Sequence, residues 1–261
     1  MRKRIVTLII IDLAFLLMLS LSGIGGTLGN IIYFASFIVP IFMGLAIIAK
    51  ERALKPSSCD SRRILPSIAL FAPTLLVIIG ISALTSYLLT LFGKSNVTDV
   101  SGDLFANLLR HALLPALLEE MLFRFIPVRL IGARSPRAAI LVSSILFSLI
   151  HMNLFQIPYA LFAGSVFAFL TLVTGSIIPS MILHFINNTV SVIWMRSPEL
   201  TLPIIIVIAV IAVISLVYVF IRRREYSTWV REAASGEPIG RCPELVIAMV
   251  ILLAAAILNL R

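Results

Sequence analysis

The stretch LPIIIVIAVIAVISLVYVFI, residues 202–221, runs for twenty positions without an Asp, Glu, Lys, Arg or His side chain. About 20 consecutive apolar residues are enough for an α-helix to cross the hydrocarbon core of a bilayer. In lipid, every backbone N–H and C=O group must find its partner within the protein, and a helix provides those partners internally. The stretch therefore predicts a transmembrane helix.

Similar apolar runs recur along the whole chain of 261 residues, of which 60% are hydrophobic and only 13% are charged. A soluble chain carries about a quarter charged residues, and the strands of a membrane barrel would alternate in polarity over about ten residues. These runs do not alternate, so we predict an all-α fold, a polytopic transmembrane helix bundle of roughly eight or nine spans. The predicted spans cover residues 5–23, 31–49, 64–92, 104–129, 138–153, 158–174, 177–195, 202–221 and 245–260.

The basic residues are divided unevenly between the two sides that these spans define. With the N-terminus in the cytoplasm, sixteen of the 21 Lys and Arg residues fall in loops on that side, three fall on the other side and two lie inside spans. This is the positive-inside pattern. It predicts a cytoplasmic N-terminus and explains the net charge of +9 without a nucleic-acid partner. The longest polar segment, about 222–244, is too short to form a domain of its own.

Polar and ionisable side chains inside the predicted spans are concentrated between residues 104 and 195. Each charge costs at least about 2.5 kcal/mol at mid-depth on insertion scales, so such residues indicate function. The residues concerned are Arg110, His111, Glu119, Glu120, Arg124, His151, His184, Asn187 and Asn188. Arg110 and His111 match none of the motifs described below, and we interpret them as structural or lipid-facing residues near the membrane boundary. We therefore divide the chain into N-terminal spans over 1–103, a polar core over 104–195 and C-terminal spans over 196–261.

Three of these polar positions lie at comparable depth. At about 1.5 Å per helical residue, Glu119 lies about 15 Å, His184 about 12 Å and His151 about 21 Å from the cytoplasmic boundary. A carboxylate and an imidazole that flank one water can remove its proton. An imidazole N–H and an Asn amide can stabilise the oxyanion that forms, and His184 and Asn188 share one helix face. The pattern is typical of a hydrolytic site.

Three short motifs follow one another in this core. Residues 119–124, EEMLFR, fit Glu-Glu-x-x-x-Arg; residues 147–151, FSLIH, fit Phe-x-x-x-His; residues 184–188, HFINN, fit His-x-x-x-Asn. In this order and spacing they resemble the CPBP family of intramembrane proteases, which includes the type II CAAX prenyl endopeptidases and bacteriocin-processing proteins. The resemblance covers about residues 104–195.

The resemblance implies a glutamate-dependent intramembrane endopeptidase of the CAAX type. It implies that Glu119 and His151 activate the water, and that His184 and Asn188 form the oxyanion hole. The expected partners are membrane lipid and a protein or peptide substrate. Substrates of the CAAX type include proteins that are prenylated at a C-terminal Cys. The opening of the active site is expected on the cytoplasmic side.

Glu120 and Arg124 have supporting roles by the same resemblance. They are four residues apart on a helix, an arrangement in which an acid and a base can pair. One Arg cannot neutralise two adjacent acids, so one carboxylate of the Glu119–Glu120 pair is left over for chemistry.

Other functions are compatible with the same residues. A zinc-dependent membrane protease could use Glu119, His151 and His184 as ligands, although the chain has no His-Glu-x-x-His motif. A non-proteolytic ion or proton transporter could use the buried acids and histidines as a path. A catalytically idle scaffold or immunity factor is a further alternative. We expect no cofactor and do not favour zinc.

Overall fold

Within the part of the chain that it describes, the computed structural model consists of helices and their connections. It describes residues 26–50, 59–94, 102–132 and 134–236, together with 250 and 254. Five helices in these residues are long and apolar enough to cross a membrane. The all-α prediction is thus confirmed, and the protein is an integral helical membrane protein. The predicted spans 5–23 and 245–260 lie outside the described residues, apart from 250 and 254, so the span count stays a prediction.

Eight helices form the described part of the chain. They are α1 Gly26–Lys50, α2 Ser61–Leu91, α3 over 104–132, α4 Pro136–Ile150, α5 Ile157–Thr174, α6 Ile178–Arg196, α7 Thr201–Ile221 and α8 Arg223–Ala234. The first seven correspond to predicted spans, whereas α8 was not predicted. α4, with 15 residues, is shorter than a full span.

Local sequence explains where several of these helices begin and end. Asp60, Asp103 and Ser135 each accept a hydrogen bond from a backbone N–H two or three residues later, at the start of α2, α3 and α4. Such N-caps satisfy donors that have no partner within the helix. α5 ends at Gly175, whose φ of +68° is the left-handed conformation that favours glycine at a helix C-terminus.

α3 is not the regular α-helix that the sequence predicted. π-Helical turns occupy Leu109–Leu113, Met121–Phe125 and Val128–Gly132, and an α-helical turn, Leu114–Glu120, lies between the first two. Since the predicted depth of Glu119 assumed α-helical rise throughout, it is only approximate. Single π turns inside helices are frequent at functional sites, and here they border the turn that carries both acids.

A proline in α3 explains one contact between α3 and α4. Pro127 has no N–H to donate to the carbonyl of Phe123, four residues earlier. The hydroxyl of Ser143 on α4 donates to that carbonyl instead, at 2.5 Å. Pro127 therefore does not compete for this carbonyl, whose bond to Ser143 connects α3 and α4.

The centre of the bundle is the packing of α5 on α4. Phe147 of α4 and Phe167 of α5 are almost completely buried. At Gly164 of α5, a methyl group would lie 3.0 Å from the Phe147 ring and 3.2 Å from the Ser144 backbone. Glycine at this position therefore allows the close approach of α4 and α5.

α8 is an amphipathic helix in the segment that we had treated as polar and without a core. Tyr226, Trp229 and Ala233 are buried, at the spacing of one helix face. The Tyr226 hydroxyl donates to the carbonyl of Pro66 at 2.6 Å, and burial raises the pKa of Tyr226 to about 12. α8 is therefore packed against the bundle through its apolar face.

Candidate active site

Two adjacent carboxylates approach the same imidazole ring. Glu119 and Glu120 lie in the α-helical turn of α3 between two π turns, and His184 lies on α6; all three side chains are buried. Glu120 Oε1 is 2.9 Å from His184 Nδ1, and Glu119 Oε2 is 3.8 Å from His184 Nε2. The two acids therefore lie at opposite nitrogens of one ring, which the sequence did not predict.

The bond to Glu120 determines how His184 can act. An ionised carboxylate can only accept a hydrogen bond, so His184 Nδ1 carries a hydrogen. In the neutral ring, Nε2 would then bear a lone pair. His184 can donate toward Glu119 or toward a substrate through Nε2 only when the ring is doubly protonated.

The supporting pair predicted from the motif is present. Arg124 Nε lies 3.4 Å from Glu120 Oε2, and neither side chain is exposed. The Arg124 guanidinium lies 3.9 Å from the centre of the Phe147 ring and 5.2 Å from that of Phe167. Aromatic faces attract a cation in this position, so the two rings and the carboxylate together accommodate a buried charge.

His151 lies where α4 ends. Its Nδ1 is 2.8 Å from the carbonyl oxygen of Phe147, and because a carbonyl only accepts, Nδ1 carries the hydrogen. The lone pair of the neutral ring is therefore on Nε2. The next residue, Met152, has a φ of +45°, a conformation that ends the helix and that is uncommon for a residue other than glycine.

The Phe147 ring connects the two histidines. Its centre lies 5.1 Å from that of His151 and 5.6 Å from that of His184, both edge to face. His184 in turn lies 3.8 Å from Glu119. The structure therefore brings Glu119, His151 and His184 to one region of the bundle, whereas the depth comparison predicted only that they lie at similar depth.

Asn188 is less closely connected to this cluster. It lies one turn after His184 on α6 and is half-buried. Its Oδ1 accepts a hydrogen bond from Asn187 Nδ2 at 3.1 Å. In the described part of the chain, no hydrogen bond joins it to Glu119 or His151. Because its oxygen is the acceptor in this bond, its Nδ2 hydrogens are the part of the amide that can serve another acceptor.

Two features of the site were not predicted. Phe167 stacks on His184, with 5.1 Å between ring centres, and the hydroxyls of Thr171 and Ser180 pair at 3.0 Å. Thr171 lies one turn after Phe167, and Ser180 lies one turn before His184, so α5 and α6 meet at two successive levels. The spacing of four residues between Ser180 and His184 was the available signal in the sequence.

Tyr159, at the start of α5, is a further residue that motif spacing did not single out. It is half-buried and packs against the hydrophobic cluster that contains Phe147. Its position was not predictable because Pro158 and Tyr159 belong to none of the three motifs.

The described residues contain no group of three or more His, Cys, Asp or Glu side chains arranged to hold a metal ion. Glu119, His151 and His184, the ligand set of the zinc alternative, do not meet that geometry although they lie in one region.

Together, the fold and this site define a polytopic helical membrane protein with carboxylates and imidazoles buried between its helices. The family model "Type II CAAX prenyl endopeptidase Rce1-like" matches residues 101–190, a segment that contains all three motifs, and thereby confirms the resemblance over that segment. This is a family of proteases. Comparisons with curated proteins and with solved structures give no match.

Proposed function

We propose that the chain is an intramembrane endopeptidase of the CAAX type, which hydrolyses a peptide bond with a water activated by Glu119 and His151. The observation that carries the proposal is the approach of Glu119 and Glu120 to the two nitrogens of His184, inside the segment that matches a protease family. Hydrolysis needs a proton acceptor and a donor to the developing oxyanion, and this cluster offers both.

Glu119 is the proposed proton acceptor. Glu120 is bonded to His184 Nδ1 at 2.9 Å and paired with Arg124, whereas the ion-pair partner of Glu119 in the described residues, His184 Nε2, lies 3.8 Å away. Its carboxylate is therefore the one left over once the Glu120–Arg124 pair has formed. A buried carboxylate without a fixed donor is suited to take a proton from water.

His151 is proposed to hold and orient the same water. The Nδ1–H group of His151 donates to the Phe147 carbonyl, so Nε2 is the nitrogen that can accept a hydrogen bond from water. The Phe147 ring lies edge to face with both His151 and His184, and His184 lies 3.8 Å from Glu119, which supports a water near both Glu119 and His151.

His184 and Asn188 are proposed to stabilise the oxyanion. The Nδ1–H group of His184 already donates to Glu120. To donate to the oxyanion as well, His184 must be doubly protonated, with Nε2–H as the donor. Glu120 then acts as a positioning residue, because it determines which nitrogen of the ring faces the substrate. Asn188 would contribute an Nδ2 hydrogen from the next turn of α6.

The proposed reaction consumes one water for each peptide bond. The water gives a proton to Glu119 while its oxygen bonds to the substrate carbonyl carbon, whose own oxygen becomes the oxyanion near His184 and Asn188. The tetrahedral intermediate then collapses, the C–N bond breaks, and the proton held by Glu119 passes to the leaving amine.

The proposed substrate is a protein or peptide, because the matched family consists of proteases. The family description names CAAX prenyl endopeptidases, so a peptide with a prenylated Cys near its C-terminus is the first substrate to test. The excess of basic loops supports a site that opens to the cytoplasm.

The test compares two acid-to-amide variants of the full chain in vesicles with a prenylated peptide. Glu119→Gln keeps the size of the side chain but removes the base, so we expect cleavage to fall by at least about 10²-fold. Glu199→Gln changes an exposed acid in the turn Pro198–Leu200 and should leave cleavage unchanged. Full turnover by Glu119→Gln would overturn the proposal.

The same preparation separates this mechanism from the zinc alternative. If Glu119 and His151 act directly on water, exhaustive chelation leaves the rate of cleavage unchanged. A loss of activity that added zinc restores would instead assign a metal to the site.

A further inference from the structure

α8 lies across one end of the bundle, where α2 and α4 begin and where α5 and α7 end. Tyr226 and Trp229 pack with Val173 near the end of α5. The backbone N–H of Arg137 donates to the carbonyl of Ser235, just after α8, at 3.4 Å. The helix is therefore attached to the end of the bundle through one face, and its other side faces outward.

The described acids at this end are already paired. Asp60 contacts Arg62 at 3.0 Å and Arg63 at 3.3 Å. Glu232 contacts Arg63, and Glu225 contacts Arg222, each at 2.5 Å. These pairs leave no described carboxylate at this end for further cations.

Five exposed arginines are left at this end without a carboxylate partner in the part of the chain that the structure describes. We call them the arginine surface: Arg134, Arg137, Arg223, Arg224 and Arg231. Arg231 donates only to the hydroxyls of Ser227 and Thr228 on its own helix. On a helical wheel, Arg224 and Arg231 lie opposite the buried Trp229.

The arginine surface borders apolar side chains that face lipid. Phe220 and Ile221, the last residues of α7, are 67% and 69% exposed. The Arg223 guanidinium lies 5.0 Å from the centre of the Phe220 ring, and Val230, on the same flank of α8 as Arg223, is also exposed. Where exposed apolar residues give way to arginines, the membrane-embedded surface meets the headgroup layer.

We propose that the arginine surface binds the phosphate groups of anionic phospholipids. A guanidinium is planar and presents paired donors that match phosphate oxygens. Clusters of basic residues beside a transmembrane helix on the cytoplasmic side attract the anionic lipids of that leaflet. The binding would fix α8 at the membrane surface, and the inference is independent of the proposed peptidase activity.

The experiment measures lipid preference with a charge-matched control. The full chain is reconstituted in nanodiscs of phosphatidylcholine alone or mixed with phosphatidylglycerol, and retained lipid is counted by native mass spectrometry. Arg224→Gln/Arg231→Gln should lower the preference for phosphatidylglycerol by on the order of tenfold. Arg62→Gln/Arg222→Gln removes the same net charge at the same end but from arginines that are paired with acids, and should preserve most of the preference.

Four results would overturn the proposal. The first is a wild-type protein without preference for phosphatidylglycerol, and the second is an undiminished preference in Arg224→Gln/Arg231→Gln. The third is an equal loss in both variants, which would assign the effect to net charge alone. The fourth is equally strong binding of soluble glycerol phosphate in neutral detergent, which would assign a phosphate site rather than a lipid surface. Unchanged Trp229 fluorescence, measured in a Trp194→Phe background, verifies that α8 is still packed in each variant.

Discussion

α6 and α7 are consecutive helices of similar length whose surfaces have opposite uses. α6 buries Ser180, His184 and Asn187 against the bundle, whereas α7 buries only Ile208 and Ala212 among its 21 residues. Most of the remaining side chains of α7 are apolar and exposed, as expected for a surface in contact with lipid. Polar groups on α6 find partners on α3 and α5, while the same groups on α7 would meet hydrocarbon.

The comparison shows that an apolar sequence identifies a membrane span but does not by itself tell whether the span contributes to a site. Hydropathy identifies both helices as spans, but it does not distinguish a helix that contributes to a site from one that shields the bundle. The distinction lies in whether a polar residue has a partner. His184 contacts two carboxylates and the Phe167 ring. These contacts offset the free-energy cost of placing a polar side chain of α6 within the bilayer.

The largest effect should come from the ring that both acids approach. His184→Gln removes the proposed donor to the oxyanion, so kcat/KM for the prenylated peptide should fall by about 10²- to 10³-fold. Ile214→Ala, on the lipid-facing side of α7, should change kcat/KM by less than about twofold. Similar losses in the two variants would contradict the division of roles between α6 and α7.

A smaller effect is expected when alanine replaces a buried glycine, compared with the same replacement at a lipid-facing glycine. Phe147 is in contact with Arg124 on one side and cannot easily move away from a methyl group at Gly164, so Gly164→Ala should lower the free energy of unfolding by about 1–3 kcal/mol. Gly80 on α2 has no atom within 4 Å of an added methyl, and Gly80→Ala should be neutral or slightly stabilising. Thermal unfolding in one lipid composition measures both, and equal midpoints would contradict the packing argument.

The sequence predicted the positions of α1 to α7, because bilayer thickness determines how long an apolar run must be. α8 was not predicted because its average composition is polar. The helical spacing of Tyr226, Trp229 and Ala233 indicates an amphipathic helix, but a search for long apolar runs cannot detect it. π Turns in α3 were also not predictable from motif spacing, although Pro115 and Pro127 signal irregular hydrogen bonding there.

For the candidate site, the sequence predicted which residues lie in the bundle but not their partners. Spacing along one helix determines which side chains share a face, so the pairing of Glu120 with Arg124 was predictable. The bond between Glu120 and His184 depends on how α3 and α6 are rotated toward each other, which spacing within either helix does not contain. The roles of Glu119, His151, His184 and Asn188 stay predictions until activity is measured.

The hydroxyl pair behind the site should have a modest effect on α6. Ser180→Ala removes the contact with Thr171 on α5 and should lower the free energy of unfolding by about 0.6 kcal/mol, the average for hydrogen bonds between membrane helices. Ser165→Ala is a matched control, because the Ser165 hydroxyl is exposed and bonds only within α5. If the two variants have the same unfolding midpoint, the pair does not stabilise the α5–α6 contact.

The smallest effect is expected at α8, where a surface ion pair between Arg63 and Glu232 adds to the packing of the apolar face. The Arg63 guanidinium lowers the pKa of Glu232 below its usual value of 4.5. Because the folded-state pKa is the lower one, the pair contributes fully above pH 4.5, and its contribution is lost as the pH falls through the lowered pKa. Trp229 fluorescence in a Trp194→Phe background should therefore report weaker packing of α8 in acid.

The control for this prediction is Glu232→Gln, which removes the ion pair but keeps Asp60. Asp60 is a second acid at this end of the bundle, and Arg62 lowers its pKa. An unchanged acid transition in Glu232→Gln would show that the Arg63–Glu232 pair does not hold the helix.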